Sequence, residues 1–239
     1  YPTATLTKNL EGKNMTEFGL LQGKGIVGFT DGVKTIQNSR LMSRIMRSAY
    51  DLGSLIIQHA EDYDLAENGT VNDGIIATKL GLQGITDLAE KVIIERDLSL
   101  LEDFNCRYHI AQISSSKSVE VIKHKKNDVD FSTGVSINNL SLNENDIGDF
   151  RTFLKLSPPL RTEEDRLSLI EAINKNLIDV IVSDHKPEDE ESKRLTFTQA
   201  ATGASGIETL LPLSLELFHN GSVKLYRIIE LLTSNPAKI

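Results

Sequence analysis

The sequence predicts an α/β fold built around a parallel sheet. Short apolar runs rich in β-branched residues alternate along the chain with helical stripes of apolar residues at a period of 3.6. Turn-forming residues such as Gly53 and Asn220-Gly221 separate the two kinds of segment. A strand followed by a helix and then by another strand is the order that produces parallel pairing. With 239 residues, the chain is long enough to bury a substantial core.

Five strands are predicted from runs of apolar and β-branched residues, and a sixth strand is predicted to end near residues 2–6. The five runs are 25–29, 54–58, 107–113, 129–135 and 178–183. The run at 178–183, which reads I-D-V-I-V-S, is the clearest of them. A polar loop is expected over 61–73, and the two prolines at 158–159 exclude regular structure there.

Helices are predicted where the apolar stripe coincides with a start or stop signal. One helix opens at Ser39 and ends at Gly53, and Thr86 is the expected N-cap of a long second helix. Thr162 and Asp165 have the spacing of a capping box. Other helices are expected after residue 113 and over 207–219 and 223–233.

Two architectures fit this order of elements: an open doubly wound sheet, and a (β/α)8 barrel that lacks its first strands. In the nucleotide-binding version of the doubly wound fold, a glycine-rich phosphate-binding turn follows a strand. No such turn follows any of the predicted strands. The pattern of elements leaves both architectures open.

Composition excludes several functional classes. Thirty-four acidic residues against 26 basic ones give a net charge of −8, which argues against a nucleic-acid partner. No apolar run is long enough for a membrane span. The single cysteine, Cys106, excludes an internal disulfide framework, so a reducing, cytoplasmic location is expected. Because the first residue is Tyr1 and no signal peptide follows it, the chain is expected to start inside a longer protein.

Polar side chains follow several predicted strands at the point where each strand ends. They are Asp31, His59 with Asp62, Gln112 with Ser114, and Asp184 with His185. In both architectures the carboxyl ends of the parallel strands form the ligand-binding rim. The sequence therefore predicts a site at that rim.

Each candidate also has a structural interpretation. His59 is either a metal ligand or a histidine satisfied by loop backbone, and Asp184 is either a metal ligand and general base or a helix cap. The sequence favours structural or solvated roles for the other residues of interest: His109, His124, His219 and Cys106.

Several motifs together resemble the class I dihydroorotases of bacteria, in the amidohydrolase superfamily. They are I-I-Q-H-A-E-D-Y-D-L-A at 56–66, H-I-A-Q-I-S-S at 109–115, L-S-P-P-L-R-T-E-E-D-R at 156–166, I-D-V-I-V-S-D-H-K-P at 178–187 and S-G-I-E-T-L-L-P-L at 205–213. The segments 7–17 and 231–237 agree as well, so the resemblance is collinear over essentially the whole chain.

The resemblance implies a zinc-dependent (β/α)8 barrel that interconverts N-carbamoyl-L-aspartate and dihydroorotate in de novo pyrimidine synthesis. On this basis, residues 1–239 are a partial metal-dependent hydrolase barrel domain that begins near the third strand. The first two strands, the His-x-His pair after the first strand and most of the flanking β-sandwich are expected to be absent. The resemblance gives Asp184 the proton transfer, His59 and Asp184 the metal, and Ser157 and Gly203 the substrate contacts.

The departures from the family pattern all lie at positions that the resemblance assigns to the metal or the substrate. Gly32 stands where the family has a metal-bridging aspartate, and Asp31 replaces it only if the loop shifts by one residue. Gln112 stands in place of a histidine ligand, and its neutral amide is a poor ligand for zinc. Glu188 replaces another histidine, which is expected to place a negative charge near a dicarboxylate substrate.

Two functions are consistent with these substitutions. The first is a dihydroorotase or close cyclic-amide hydrolase with at most one zinc ion, bound only if an upstream His-x-His pair completes the site. The second is a non-catalytic homologue, without metal, that acts as a structural partner of aspartate carbamoyltransferase. The dihydroorotase family is commonly oligomeric, so the resemblance is compatible with a homo-oligomer.

Overall fold

The computed structural model describes residues 1–239 and contains eight strands. In chain order they are β1 (Thr3–Ala4), β2 (Gly28–Phe29), β3 (Leu55–Gln58), β4 (Val71–Asn72), β5 (Gly84–Ile85), β6 (Arg107–Ile113), β7 (Ser132–Ser136) and β8 (Val180–Val182). Six of them form one parallel sheet in the order β1-β2-β3-β6-β7-β8, and β4 pairs with β5 in a small separate parallel sheet. The predicted α/β class is confirmed.

The order of strands in the main sheet decides between the two predicted architectures. Each strand pairs with the next main-sheet strand along the chain, and the order nowhere reverses. A doubly wound sheet has a reversal point, whereas a barrel sheet runs continuously around its axis. The sheet is therefore the six-stranded part of a barrel, and its strands take the places expected for the third to eighth barrel strands.

Eleven α-helices connect the strands and cover the outer face of the sheet. They are α1 (Phe18–Gln22), α2 (Ser39–Leu52), α3 (Tyr63–Ala66), α4 (Ile75–Leu80), α5 (Leu88–Phe104), α6 (Ser116–Lys125), α7 (Ile137–Ser141), α8 (Glu163–Asn174), α9 (Glu190–Lys193), α10 (Leu210–His219) and α11 (Leu225–Leu232). Short 3-10 turns occur at Lys8–Leu10, Glu144–Ile147 and Thr152–Leu154.

Local capping signals explain where several helices begin and end. The Asn38 side chain accepts from the Leu41 amide at the start of α2, and Gly53 ends that helix in the left-handed conformation with φ +64°. At α8, the predicted capping box is confirmed. The Thr162 hydroxyl accepts from the Asp165 amide, and the Asp165 carboxylate accepts from the Thr162 amide.

The prediction that Thr86 caps α5 is wrong by one residue. Asp87 occupies the N-cap position, although its side chain makes no capping hydrogen bond. The Thr86 hydroxyl instead accepts from the Leu88 amide at 3.3 Å. A hydroxyl that bonds two residues ahead imitates a cap from just outside the helix.

The polar segment 61–73 is not the unstructured loop that was predicted. Asp62 accepts from two amides and opens α3, and β4 then pairs with β5. Val71 in β4 is buried in a small second apolar cluster with Ala77, Ile147 and Phe197. This cluster supplies the burial that such short strands need.

The strand predicted at 129–135 lies at Ser132–Ser136. Val129 and Phe131 are buried in the core, but ladder pairing with β6 starts only at Ser132, opposite His109. Hydrophobicity therefore located the buried segment correctly and placed the start of pairing three residues early.

The main core contains 36 buried residues and lies between the sheet and its covering helices. From α2, a stripe that includes Met42, Ile45 and Met46 is fully buried. Phe18 stacks on Phe29 with ring centroids 3.8 Å apart. No helix is both long enough and apolar enough to cross a lipid bilayer.

We predict that Leu98→Ala lowers the free energy of unfolding by roughly 2–5 kcal/mol, because Leu98 is fully buried on α5 and truncation leaves a cavity. Leu88→Ala is the matched control: it lies on the same helix but is 41 % exposed, and it is expected to change stability by about 0.5 kcal/mol or less. Urea unfolding measures both variants. Equal losses in the two would contradict the core assignment.

We also predict that His109 makes the fold less stable in acid. His109 is buried in β6, its Nδ1 lies 2.8 Å from Ser132 Oγ, and burial lowers its pKa from 6.5 to about 4. Between those values the unfolded chain binds a proton that the folded chain does not, so the free energy of unfolding falls as the pH falls from 6.5 to 4. The loss from this group reaches about 3 kcal/mol at pH 4.

His109→Asn is expected to flatten that pH dependence when the free energy of unfolding is measured at pH 7, 5.5 and 4. His124→Asn is the control, because His124 is exposed on α6. A pH profile that His109→Asn leaves unchanged would contradict the role given to His109.

Candidate functional site

A cleft of about 270 Å³ lies at the carboxyl ends of the sheet strands, where the sequence predicted the site. Three predicted site residues, Ser157, Asp184 and Gly203, line it. Five polar residues of the lining were not predicted: Glu61, Thr70, Lys155, Lys186 and Thr202. The cleft thus combines acidic, basic and hydroxyl groups.

Asp184 is held by side chains from β6 and from the end of β7. It follows β8 directly and has a left-handed backbone with φ +50°. The Gln112 amide on β6 donates to Asp184 Oδ1 at 3.0 Å. The Ser136 hydroxyl at the end of β7 lies 3.5 Å from Asp184 Oδ2. The carboxylate is therefore oriented mainly by an uncharged amide.

His59 lies just behind the cleft. It follows β3, is 4 % exposed, and its Nε2 lies 3.3 Å from the Ser157 hydroxyl. Burial lowers the pKa of His59 to about 4, so the ring is neutral at pH 7 and keeps a lone pair. A neutral imidazole is the form that binds a metal, and it is also the form that accepts a hydrogen bond.

The loop after β2 contributes no carboxylate to the cleft. Asp31 is buried and accepts hydrogen bonds from the amide of Thr7, at 3.0 Å, and from the Thr7 hydroxyl. Gly32 has no side chain and a φ of +68°. Asp31 therefore fastens the segment after β1, and it does not take over the place of the family's bridging aspartate at Gly32.

The residues of the chain do not fit a two-metal site. No group of three or more His, Cys, Asp or Glu side chains is placed to hold one metal ion. His59 and Asp184, the two ligands that the resemblance implies, would be one fewer than the three that a catalytic zinc ion takes from the protein. At the third expected position, Gln112 directs its amide N–H towards the carboxylate of Asp184, and an N–H group cannot ligate a metal.

Gly203 and Ser157 face the cleft from two loops that touch each other. The Gly203 amide donates to the Lys155 carbonyl at 2.9 Å, two residues before Ser157. Gly203 has a φ of +137°, and an added Cβ would lie 2.5 Å from the Lys186 carbonyl oxygen. Glycine is required there by both conformation and space. The peptide bond between Ser157 and Pro158 is cis.

Glu188 pairs with a lysine of the cleft and is not itself part of the lining. It is absent from the cleft lining, and its carboxylate lies 3.5 Å from the Lys186 ammonium. Lys186 itself lines the cleft. The expected unfavourable charge is therefore set back from the cleft and paired with a cation.

Arg161 joins several of the elements that surround the cleft. Its buried guanidinium donates to the Ser114 hydroxyl at 3.1 Å, the Asn72 side chain at 2.9 Å and the Ile85 carbonyl at 2.6 Å. The carboxylate of Glu90 accepts from the Ser114 amide at 2.9 and 3.0 Å. The end of β6, the small sheet and the start of α5 are thereby joined.

The remaining histidines and the cysteine are structural or solvated. His185 Nδ1 accepts from the amides of Gly206 and Ile207 at 3.1 and 3.3 Å, which organises the loop after β8. Cys106 is buried, and burial raises its thiol pKa to about 12, so it has no nucleophilic character at neutral pH. His124 and His219 are exposed on helices.

Glu61 is the acidic cleft residue that sequence reasoning missed. Burial raises its pKa, and the nearby Arg161 guanidinium opposes that shift. Its position two residues after His59 was a usable signal, because both follow the same strand end. The basic cleft residues Lys155 and Lys186 carried no comparable signal, since lysines are usually solvated.

Known proteins resemble this chain along its whole length. Residues 1–118 match the family described as Dihydro-orotase-like. The chain is 40% identical over 238 residues to a dihydroorotase of Ehrlichia canis, which covers 99% of this chain and 53% of that protein. It is 36% identical over 239 residues to a dihydroorotase of Desulforapulum autotrophicum, which covers 100% of this chain and 56% of that protein. The chain thus spans about half the length of the curated relatives it matches.

Solved structures share the fold. The L-hydantoinase (dihydropyrimidinase) of Arthrobacter aurescens superposes with a TM-score of 0.83 at 25% identity, covering 99% of this chain and 55% of that chain. The dihydroorotase of Saccharomyces cerevisiae superposes with a TM-score of 0.72 at 16% identity, covering 98% of this chain and 65% of that chain. The second likeness concerns the fold alone.

The predicted family is confirmed by the family match, by the collinear identity and by the shared six-stranded part of the barrel. This chain belongs to the dihydroorotase family of the amidohydrolase superfamily.

Proposed function

We propose that the protein acts as a dihydroorotase in de novo pyrimidine biosynthesis, in the cytoplasm, and interconverts N-carbamoyl-L-aspartate and dihydroorotate. The observation that carries this proposal is the convergence of Asp184, Ser157 and Gly203 on one cleft at the carboxyl rim. These residues come from three separate loops, and the resemblance to the family assigns all three to site positions, with Ser157 in place of the family's asparagine. A cleft of about 270 Å³ is close to the lower end of the range for small-molecule sites.

Asp184 is the residue proposed to move the proton. Its left-handed backbone and the amide of Gln112 fix the carboxylate at the end of β8. Oδ1 is occupied by the amide at 3.0 Å, and the only partner of Oδ2 is the Ser136 hydroxyl at 3.5 Å. Oδ2 is therefore the freer atom for proton transfer to or from a bound amide.

The charges around the cleft suit a substrate that carries both carboxylate and amide groups. Lys186 provides an exposed cation, and Ser157 and Thr202 provide hydroxyl groups. Glu61 offers a carboxylate that can accept from an amide N–H group. Zinc, which the family uses as an electrophile, would have His59 and Asp184 as ligands, and a single ion would need further ligands from outside residues 1–239.

A second candidate function is favoured by the Gln112–Asp184 hydrogen bond. An amide in the place of a metal ligand, together with Gly32 at the bridge, is consistent with a non-catalytic homologue. Such a protein would keep the scaffold and serve as a structural partner of aspartate carbamoyltransferase. A homo-oligomer is compatible with both functions.

We predict that Asp184→Asn lowers kcat of the complete protein for dihydroorotate hydrolysis by at least about 10²-fold, because an amide cannot exchange the proton. Asp64→Asn is the control, since Asp64 is exposed on α3, outside the cleft. The assay is run with and without added zinc. A folded protein that shows no turnover under either condition, and that co-purifies with aspartate carbamoyltransferase, would overturn the enzymatic proposal in favour of the second candidate.

We further predict that Gln112→His increases the zinc content of the complete protein, because imidazole replaces the amide beside Asp184. Adding Gly32→Asp in the same chain is expected to raise the content again. Gln112→Leu is the control, since it removes the same hydrogen bond without supplying a ligand. The measurement is elemental analysis after dialysis. If Gln112→His binds no more zinc than Gln112→Leu, position 112 is not part of the metal site.

A further inference from the structure

Two buried lysines outside the proposed chemistry join the two loops that carry Ser157 and Gly203. Lys155 is 8 % exposed and Lys193 is 3 % exposed. Neither forms a salt bridge with a carboxylate. Burying an ammonium without a carboxylate partner costs free energy, so hydrogen bonds have to offset that cost.

Each ammonium binds two backbone carbonyls, and each reaches the opposite loop. Lys155, on the segment between α7 and α8, donates to the carbonyls of Thr198 and Ala200, both at 2.8 Å. Lys193, the last residue of α9 in the segment after β8, donates to the carbonyl of Thr152 at 2.9 Å and to that of Ala201 at 2.8 Å. We call the two lysines and these four carbonyls the lysine clasp.

Two further hydrogen bonds reinforce the clasp. The Thr152 hydroxyl donates to the Lys193 carbonyl at 2.5 Å. The Gly203 amide donates to the Lys155 carbonyl at 2.9 Å. The loop 152–157 and the segment 193–203 are therefore joined in both directions, with donors and acceptors on each side.

The clasp ends at the cleft. Lys155, Leu156 and Ser157 line one side, and Thr202 and Gly203 line the other. Because Lys155 is two residues from Ser157, and Ala201 is two residues from Gly203, the separation of the two cleft walls depends on the clasp. Lys193 is not part of the lining, so it acts on the cleft only through the backbone that it holds.

We propose that Lys155 and Lys193 are positioning residues that set the spacing of the substrate-contacting rim. The choice of dihydroorotate as the ligand rests on the proposed function. The clasp itself rests on the observed hydrogen bonds. Charge-assisted hydrogen bonds to carbonyls are stronger than neutral ones, and removing either ammonium leaves two backbone carbonyls without those partners. The segment 198–203 is then expected to open locally while the barrel core stays folded.

The test uses Lys193→Met in the complete protein, since methionine keeps the length of the stem and removes the charge. Amide hydrogen exchange in 152–157 and 198–203 is expected to become about tenfold faster, and the Kd for dihydroorotate to rise about tenfold. Lys155→Met is expected to act in the same way. The double variant is expected to weaken binding by little more than either single variant, because the loss of either ammonium already frees the segment 198–203.

Lys126→Met is the matched control. Lys126 is also partly buried and donates to a carbonyl, that of Phe131, at 2.9 Å, but it contacts Asp179 and lies away from the cleft. It is expected to lower the melting temperature without changing rim exchange or dihydroorotate affinity. A purely structural role for the clasp would make Lys193→Met behave like this control.

Thr152→Val covers the case in which the lysine variants do not fold, because it removes one clasp hydrogen bond without burying a new group. It is expected to speed exchange in 198–203 about threefold. Unchanged exchange in every folded clasp variant would overturn the proposal, and so would faster exchange with an unchanged Kd. If exchange quickens but the unaltered protein binds no dihydroorotate, the clasp is supported and the proposed function fails.

Discussion

The architecture of the site depends on the hydrogen bonds made by the buried guanidinium of Arg161. It binds Ser114 at the end of β6, Asn72 in β4 and the carbonyl of Ile85 in β5. A buried cation has to be surrounded by acceptors, so the small sheet, the end of β6 and the start of α8 can adopt only one mutual arrangement. The cleft lies beside this arrangement, and Ile85 belongs to both.

Hydrogen bonds occupy the places where metal ligands are expected. Gln112 orients Asp184, the Ser157 hydroxyl contacts His59, and Asp31 is committed to Thr7. These hydrogen bonds give each side chain a defined position at the rim. His59 and Asp184 are the two residues that we propose as metal ligands.

Features encoded over a few residues could be predicted from the sequence, and features that depend on distant contacts could not. The helix from Ser39 and the capping box at Thr162 follow from local spacing, and the strand ends located the site. The two-residue strands β4 and β5 have no periodicity to detect. Lys155 is buried only because carbonyls 43 and 45 residues away surround its ammonium, and no local pattern encodes that environment.

The sequential order of the main sheet has a consequence for how the protein is made. Because each strand pairs with the preceding main-sheet strand, the partner of every new strand has already left the ribosome when that strand emerges. The sheet can therefore grow during translation, with β4, β5 and their helices forming a side unit between β3 and β6. The segment between α7 and α8 then adds Arg161 and Ser157, which both emerge after the strands whose ends they contact. Asp184 and Gly203 of the cleft follow β8 and emerge later still.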